Sequence, residues 1–120
     1  MITLEIYKGD QVARTLTFPS EPSVTAIKIG RVASARLRFE DDDQVARMHA
    51  VIEVTYEGIF LIDLGSPLGT RVNGVKARRV QLRSGDVIEV GRQRVKISFA
   101  ASAATVAATT TKDDVDDGAN

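Results

Sequence analysis

His49 is the only histidine of this chain, and cysteine is absent. Neither a multi-histidine metal centre nor a Cys–His nucleophile pair can therefore be assembled. The acidic run Glu40-Asp41-Asp42-Asp43 lacks the alternating spacing and terminal glutamate of a calcium loop, and it reads as a solvated loop. Gly65 and Gly69 stand four apart, but no Gly-Lys-Ser/Thr follows, which argues against a nucleotide-phosphate loop. No nucleophile–base pair and no cofactor motif is recognisable, so recognition rather than catalysis is expected, with no metal and no cofactor. The stretch that could recognise something is Asp63 to Gly74, DLGSPLGTRVNG. Its glycines relieve backbone strain and Pro67 fixes φ, so the loop before Thr70 is held in an unusual shape. Val72-Asn73-Gly74-Val75 is a strong hairpin signal, because a two-residue type I′ turn needs positive φ at both central residues. At the loop tip, Leu68 beside Pro67 offers an apolar contact to a partner or folds back onto the scaffold edge.

A shaped loop recognises a ligand only when rigid elements carry it, and the chain around it alternates with a period of two. Ile2, Leu4 and Ile6 alternate with Thr3, Glu5 and Tyr7, the pattern of a half-buried strand. Further short runs follow at Val12–Phe18, Thr25–Ile29, Arg36–Phe39, Ala50–Thr55, Val80–Leu82, Asp86–Val90 and Arg94–Phe99. Ile59-Phe60-Leu61-Ile62 is continuously apolar, as in a strand buried on both faces. Turn signals recur roughly every eight to twelve residues and no window supports a three-turn helix. About ten or eleven short strands in an all-β sandwich are expected over residues 1–100.

Composition sets the remaining limits. The chain has 120 residues, enough for one core, and its 43% hydrophobic and 27% charged residues are those of an ordinary soluble protein. No run approaches the length of a membrane span, and the N-terminus alternates rather than forming a signal-peptide core. A soluble, unprocessed, cytoplasmic protein without membrane insertion is the expectation. From Ala100 onward the sequence turns small and then acidic (ASAATVAATTTKDDVDDGAN), and residues 101–120 are read as a disordered linker or tail, one piece of a larger protein or complex. The formal net charge of zero hides a split: residues 1–100 carry 15 basic and 12 acidic side chains, a net of +3, against −3 in the tail. Zero net charge overall argues against a dedicated nucleic-acid binder.

Three signatures stand in order along this pattern: Gly30-Arg31, Val45-Ala46-Arg47-Met48-His49-Ala50, and the Asp63 to Gly74 loop and hairpin. Gly85-Asp86-Val87-Ile88 with Val90-Gly91 follows them. The set resembles the forkhead-associated (FHA) domain over roughly residues 1–100. The resemblance implies a sandwich of about eleven strands whose loops at one end bind a phosphothreonine segment of a protein partner, threonine-phosphorylated by a Ser/Thr kinase. It implies a non-enzymatic signalling module. Carried over position by position, Arg31 takes the place of the phosphate-contacting arginine, with Gly30 before it. Arg47 takes a position that can also face the phosphate. Ser66 and Thr70 fall on loop positions counted with the phosphopeptide site, while His49, Asn73 and Gly74 are structural. The chain departs from the pattern where the family's serine becomes Ala46, and where its Thr-Asn contact pair becomes Pro67-Leu68. Arg71 replaces a residue that is commonly aromatic. Phosphothreonine binding is therefore expected to be weakened. The alternative is a phosphorylation-independent scaffold that meets its partner through the same loops, with Pro67, Leu68 and Arg71 as contacts.

Overall fold

The computed structural model describes residues 1–22 and 26–100. In chain order the strands are β1 (Ile2–Lys8), β2 (Gln11–Phe18), β3 (Ala26–Gly30), β4 (Leu37–Arg38), β5 (Ala50–Thr55) and β6 (Gly58–Asp63). They continue with β7 (Thr70–Val72), β8 (Val75–Ala77), β9 (Arg79–Gln81), β10 (Val87–Val90) and β11 (Gln93–Phe99). One sheet runs β2-β1-β11-β10-β7-β8 and the other β4-β3-β5-β6-β9. This is the all-β sandwich that the period-two pattern calls for. Thr25, expected at the head of a strand, and the tail 101–120 lie outside the described residues.

Alternation decides what faces inward. Ile2, Leu4 and Ile6 of β1 pack with Val95 and Ile97 of β11 and with Ile88 and Val90 of β10. The second sheet contributes Ile27, Ile29, Ile52, Val54, Ile59 and Leu61 to the same core. β6 departs from the expectation of a strand buried on both faces. Ile59 and Leu61 are buried, whereas Phe60 and Ile62 are half-buried on the outer face, where the Arg79 guanidinium sits 4.3 Å from the Phe60 ring centre. An arginine stacked on an aromatic face shields apolar surface while its charge stays wet.

The Asn-Gly hairpin forms as its chemistry requires, with φ of 53° at Asn73 and 82° at Gly74 between β7 and β8. Asn73 does more than turn the chain. Its side-chain carbonyl accepts the Val87 N–H at 2.9 Å, and its amide donates to Asp86 Oδ1 at 2.9 Å. The hairpin is thereby clamped to the start of β10.

Register places the loops of interest together. Ala50 pairs with both Ile29 and Asp63, and Val90 pairs with both Thr70 and Gln93. The loops after β3, before β5, after β6 and between β10 and β11 therefore emerge at one end of the sandwich. Leu61 has no exposed surface, so Leu61→Ala removes a full side chain from the core beneath that end. We expect a loss of about 2–5 kcal/mol in chemical denaturation, with the fold retained.

Candidate functional site

Gly30 ends β3 and brings the chain against the loop that precedes β5. The Arg31 N–H donates to the carbonyls of Ala46 and Arg47 at 3.2 and 3.1 Å, and the Val32 N–H donates to Arg47 at 3.2 Å. A Cβ built at position 30 would lie 2.2 Å from the Arg47 carbonyl oxygen. Only glycine fits that approach. The Arg31 side chain is aimed by a 2.8 Å bond from Nε to the Val45 carbonyl. Its two terminal nitrogens have no partner among the described residues.

His49 is fully buried and joins two loops. The Ala46 N–H donates to its Nδ1 at 3.0 Å, so Nε2 carries the proton and donates to the Gly69 carbonyl at 2.9 Å. The structural role expected of His49 is therefore a stitch from the 45–49 loop to the 64–69 loop.

Asp63 shapes the second loop from within. Its carboxylate accepts the N–H groups of Gly65 and Ser66 at 2.9 and 3.2 Å, and the hydroxyls of Ser66 and Thr70 at 2.5 and 2.7 Å. Burial alone would raise its pKa. The four bonds outweigh burial, the Ser66 and Thr70 hydroxyls first, and hold the pKa below the usual aspartate value. This bears on two expected site residues. Thr70 is fully buried and the Ser66 hydroxyl has given its only hydrogen to Asp63. A phosphate oxygen needs a donor, and neither hydroxyl has one left to give.

Asp42 corrects the reading of the acidic run as merely solvated. It is buried and accepts bonds from the Gln44 N–H, the Arg92 N–H and Gln93 Nε2 at 2.9, 2.8 and 2.9 Å, with Arg92 Nη1 at 3.3 Å. Burial pushes its pKa up, but the bonds from Gln93, Arg92 and Gln44 dominate and lower it. The carboxylate ties the acidic loop to the turn between β10 and β11. Asp43 stays exposed and pairs with Arg92 at 3.2 Å.

Between these loops lies an open crevice of about 570 Å³, walled by Arg31, Ala46 and Arg47 on one side and Pro67 and Leu68 on the other. Asp43, Gln44, Val45 and Arg92 complete it. Leu68 is 57% exposed, so it does not fold back on the scaffold. Arg47 is exposed, and its guanidinium has no partner among the described residues. The backbone N–H groups of Arg47 and Leu68 are likewise unpartnered there. Arg71 does not join the crevice. It stands on the outer face of the six-stranded sheet, in a neighbouring cleft that also reaches Leu68. Gln44 and Arg92 were not foreseen. The only sequence signal for Arg92 is its place after Gly91, which reads as a plain turn.

The crevice end of the chain and its fold match known proteins. The family model for the FHA domain matches residues 27–91, more than half of the chain. This chain belongs to the FHA domain family. An FHA domain solved for a structural and functional analysis of phosphothreonine-dependent interactions is 30% identical over 84% of this chain and 98% of its own, with a TM-score of 0.71. The FHA domain of FhaA, solved in complex with the intracellular domain of Rv3910, is 31% identical over 81% of this chain and 99% of its own, with a TM-score of 0.68. EmbR of Mycobacterium tuberculosis, solved with a low-affinity phosphopeptide, is 25% identical over 84% of this chain and 25% of its own, with a TM-score of 0.68. Among curated proteins no significant match is found. Among the described residues of this FHA domain, no helix is long and apolar enough to cross a membrane.

The two lowered aspartate pKa values carry a pH signature. A carboxylate that ionises more readily in the fold than in the unfolded chain stabilises above its unfolded pKa, and that contribution is lost as pH falls through its folded pKa. Stability of this FHA domain should therefore drop as pH is lowered from about 5 towards 2. Asp63→Asn should be less stable at neutral pH, because an amide cannot accept all four donors, and its acid limb should be shallower. Denaturant midpoints measured across that pH range check both.

Proposed function

We propose that this FHA domain is a non-enzymatic signalling module that docks a threonine-phosphorylated segment of a protein partner in the arginine-lined crevice. The observation that carries the reading is the pair of unpartnered guanidinium ends, Arg31 and Arg47, facing one open crevice at the loop end of the sandwich. A phosphothreonine brings about −1.5 to −2 charge and three acceptor oxygens. Arg31 supplies a fork already aimed by its bond to Val45, so little side-chain freedom is lost on binding. Arg47 adds charge from the neighbouring loop before β5, and the free N–H groups of Arg47 and Leu68 are donors that need no side chain.

What is missing sets the strength. Ala46, Pro67 and Leu68 bring no side-chain donor, and Ser66 and Thr70 give theirs to Asp63. The three side-chain donors absent at Ala46, Pro67 and Leu68, at roughly 0.5–1.5 kcal/mol each, sum to about 1.5–4.5 kcal/mol, on the order of one to three decades in affinity. Asp43 at the rim, paired with Arg92, repels part of the incoming charge. Binding is accordingly weak and salt-sensitive. The partner carries a phosphothreonine made by a Ser/Thr kinase, and the domain works as a reader within a larger cytoplasmic assembly. Exposed Leu68 beside Pro67 supports a second reading, in which the same crevice rim holds a partner without phosphate.

Titration of ¹⁵N-labelled protein with phosphothreonine peptides, following backbone amides, separates the two. We expect shifts at Arg31, Ala46, Arg47 and Leu68 that vanish for unphosphorylated peptides. Arg31→Ala should weaken binding by roughly ten- to a hundredfold, the worth of one charge-assisted bond. Binding that survives both dephosphorylation and Arg31→Ala would instead establish the phosphate-independent mode.

A further inference from the structure

The outer face of the six-stranded sheet carries a row of directly opposed side chains: Tyr7, Arg94, Glu89, Arg71 and Lys76. Most of the row is settled. Arg94 lies 5.2 Å from the Tyr7 ring centre, bonds the Gly9 carbonyl and reaches Asp10 at 3.8 Å. At the other end, Arg71 and Lys76 face each other across β7 and β8, two like charges in direct cross-strand register. Such a pair is destabilising unless something anionic stands over it. Neither side chain has an ion pair or hydrogen bond among the described residues. Glu89 is opposite Arg71 on its other side, but no ion pair forms between them. One negative charge against two positive ones leaves the patch basic.

The position of the patch gives it a purpose. Lys76 lays its stem across Gly69, where a Cβ would lie 2.5 Å from its Cε. The ammonium is thus held beside the residue that His49 fixes. The cleft containing Arg71 shares Gln44, Leu68 and Arg92 with the arginine-lined crevice. Leu68 and Arg92 form the ridge between two connected depressions. Arg71 is three residues beyond Leu68, at most about 11 Å along the chain. An extended segment lying in the crevice covers that distance in about three residues.

We propose that Arg71 and Lys76 form an anion subsite that selects phosphothreonine segments carrying an acidic residue close to the phosphorylated one. The proposal rests on the crevice holding phosphothreonine, and it assigns a sequence preference that the crevice residues do not supply. The ligand chemistry is a carboxylate of the same segment, because Arg71 lines a cleft that shares Leu68 and Arg92 with the crevice, and neither member of the like-charged pair makes an ion pair among the described residues. The subsite does not bring specificity for a particular base or lipid headgroup; it reads one or two carboxylates at a short distance.

The test is a peptide library with phosphothreonine fixed at the centre. Asp or Glu is placed at each of the four flanking positions on either side in turn, against Asn or Gln. Affinities are measured for the whole domain and for the Arg71→Gln/Lys76→Gln variant. The expected result is a three- to tenfold preference for acid at one or two neighbouring positions, about the scale of exposed ion pairs. The acid-to-amide ratio should fall to about one in the variant. Phosphate-dependent binding without an acid preference, or a preference that persists in the variant, overturns this proposal and leaves the phosphothreonine reading standing. If no library member binds in a phosphate-dependent way, the phosphothreonine reading fails and this proposal falls with it. Thermal melts of the free variant give a second check, since relief of the like-charge pair should leave it at least as stable as the parent.

Discussion

A fully buried imidazole with no charged partner holds the recognition end of this domain together. His49 receives the Ala46 N–H on one nitrogen and gives its proton to the Gly69 carbonyl from the other. Both groups belong to loops, and loop backbone is where unsatisfied polar groups otherwise accumulate. The ring thus satisfies one donor and one acceptor and fixes the separation of the crevice walls in the same step. The wall on one side is the chain that Gly30 allows to approach within hydrogen-bond distance of Arg31 and Val32. The wall on the other is the loop that Asp63 gathers through four donors. Without the imidazole the two would be separately shaped but not placed relative to each other.

Rigidity at this end is bought from the same hydroxyls that could have served a ligand. Ser66 and Thr70 carry hydrogens suited to a phosphate oxygen, and both point at Asp63. A loop held by internal hydrogen bonds is preorganised, which limits the ordering lost on binding, yet each bond made inside removes a donor from the outside. With alanine and leucine at two neighbouring positions, the crevice keeps its shape and loses most of its directional donors. In the proposed function recognition then falls on guanidinium groups and free backbone N–H groups. Charge attracts over longer distances than a hydroxyl, but it discriminates less by geometry and is screened by salt. In the proposed function this crevice is an electrostatic reader with an apolar lip at Leu68.

Legibility of the sequence divides along the distance between partners. Strands with period-two alternation and the Asn73-Gly74 turn are local features, and residue type alone specifies them; the close approach of Gly30 to Arg47, 17 residues on, is not. The sandwich followed from the local features, whereas the gathering of its loops at one end was legible only through the resemblance to the FHA family. Asp42 could not be read in this way. Its partners Arg92 and Gln93 lie 50 and 51 residues further along, and in the sequence it is one of three consecutive aspartates. Only burial against the β10–β11 turn distinguishes it from Asp41 and Asp43. Asn73 is the opposite case: it reads as structural, but its turn role is so complete an explanation that its bonds to Asp86 and Val87 leave no trace in the local pattern. Ser66 and Thr70 were legible as members of the site loop, but the direction of a hydroxyl depends on Asp63, which sits at the end of another strand.

The side to which a residue faces is the last thing a short strand discloses, and here it separates two functions. Arg71 follows Thr70 directly, and β7 has only three residues. One step of the pleat takes the chain from a buried threonine that braces the loop to an exposed arginine on the sheet face. The same alternation sets Lys76 opposite it and Glu89 on its other side. The inward members of this row stabilise the crevice, and the outward members carry charge that the fold does not use. A like-charged pair in register persists more readily on a hairpin clamped elsewhere, and the bonds of Asn73 to Asp86 and Val87 provide that clamp. The unneutralised charge beside the crevice is therefore supported by the scaffold rather than required by it, and in the proposed subsite its counter-charge arrives with the ligand.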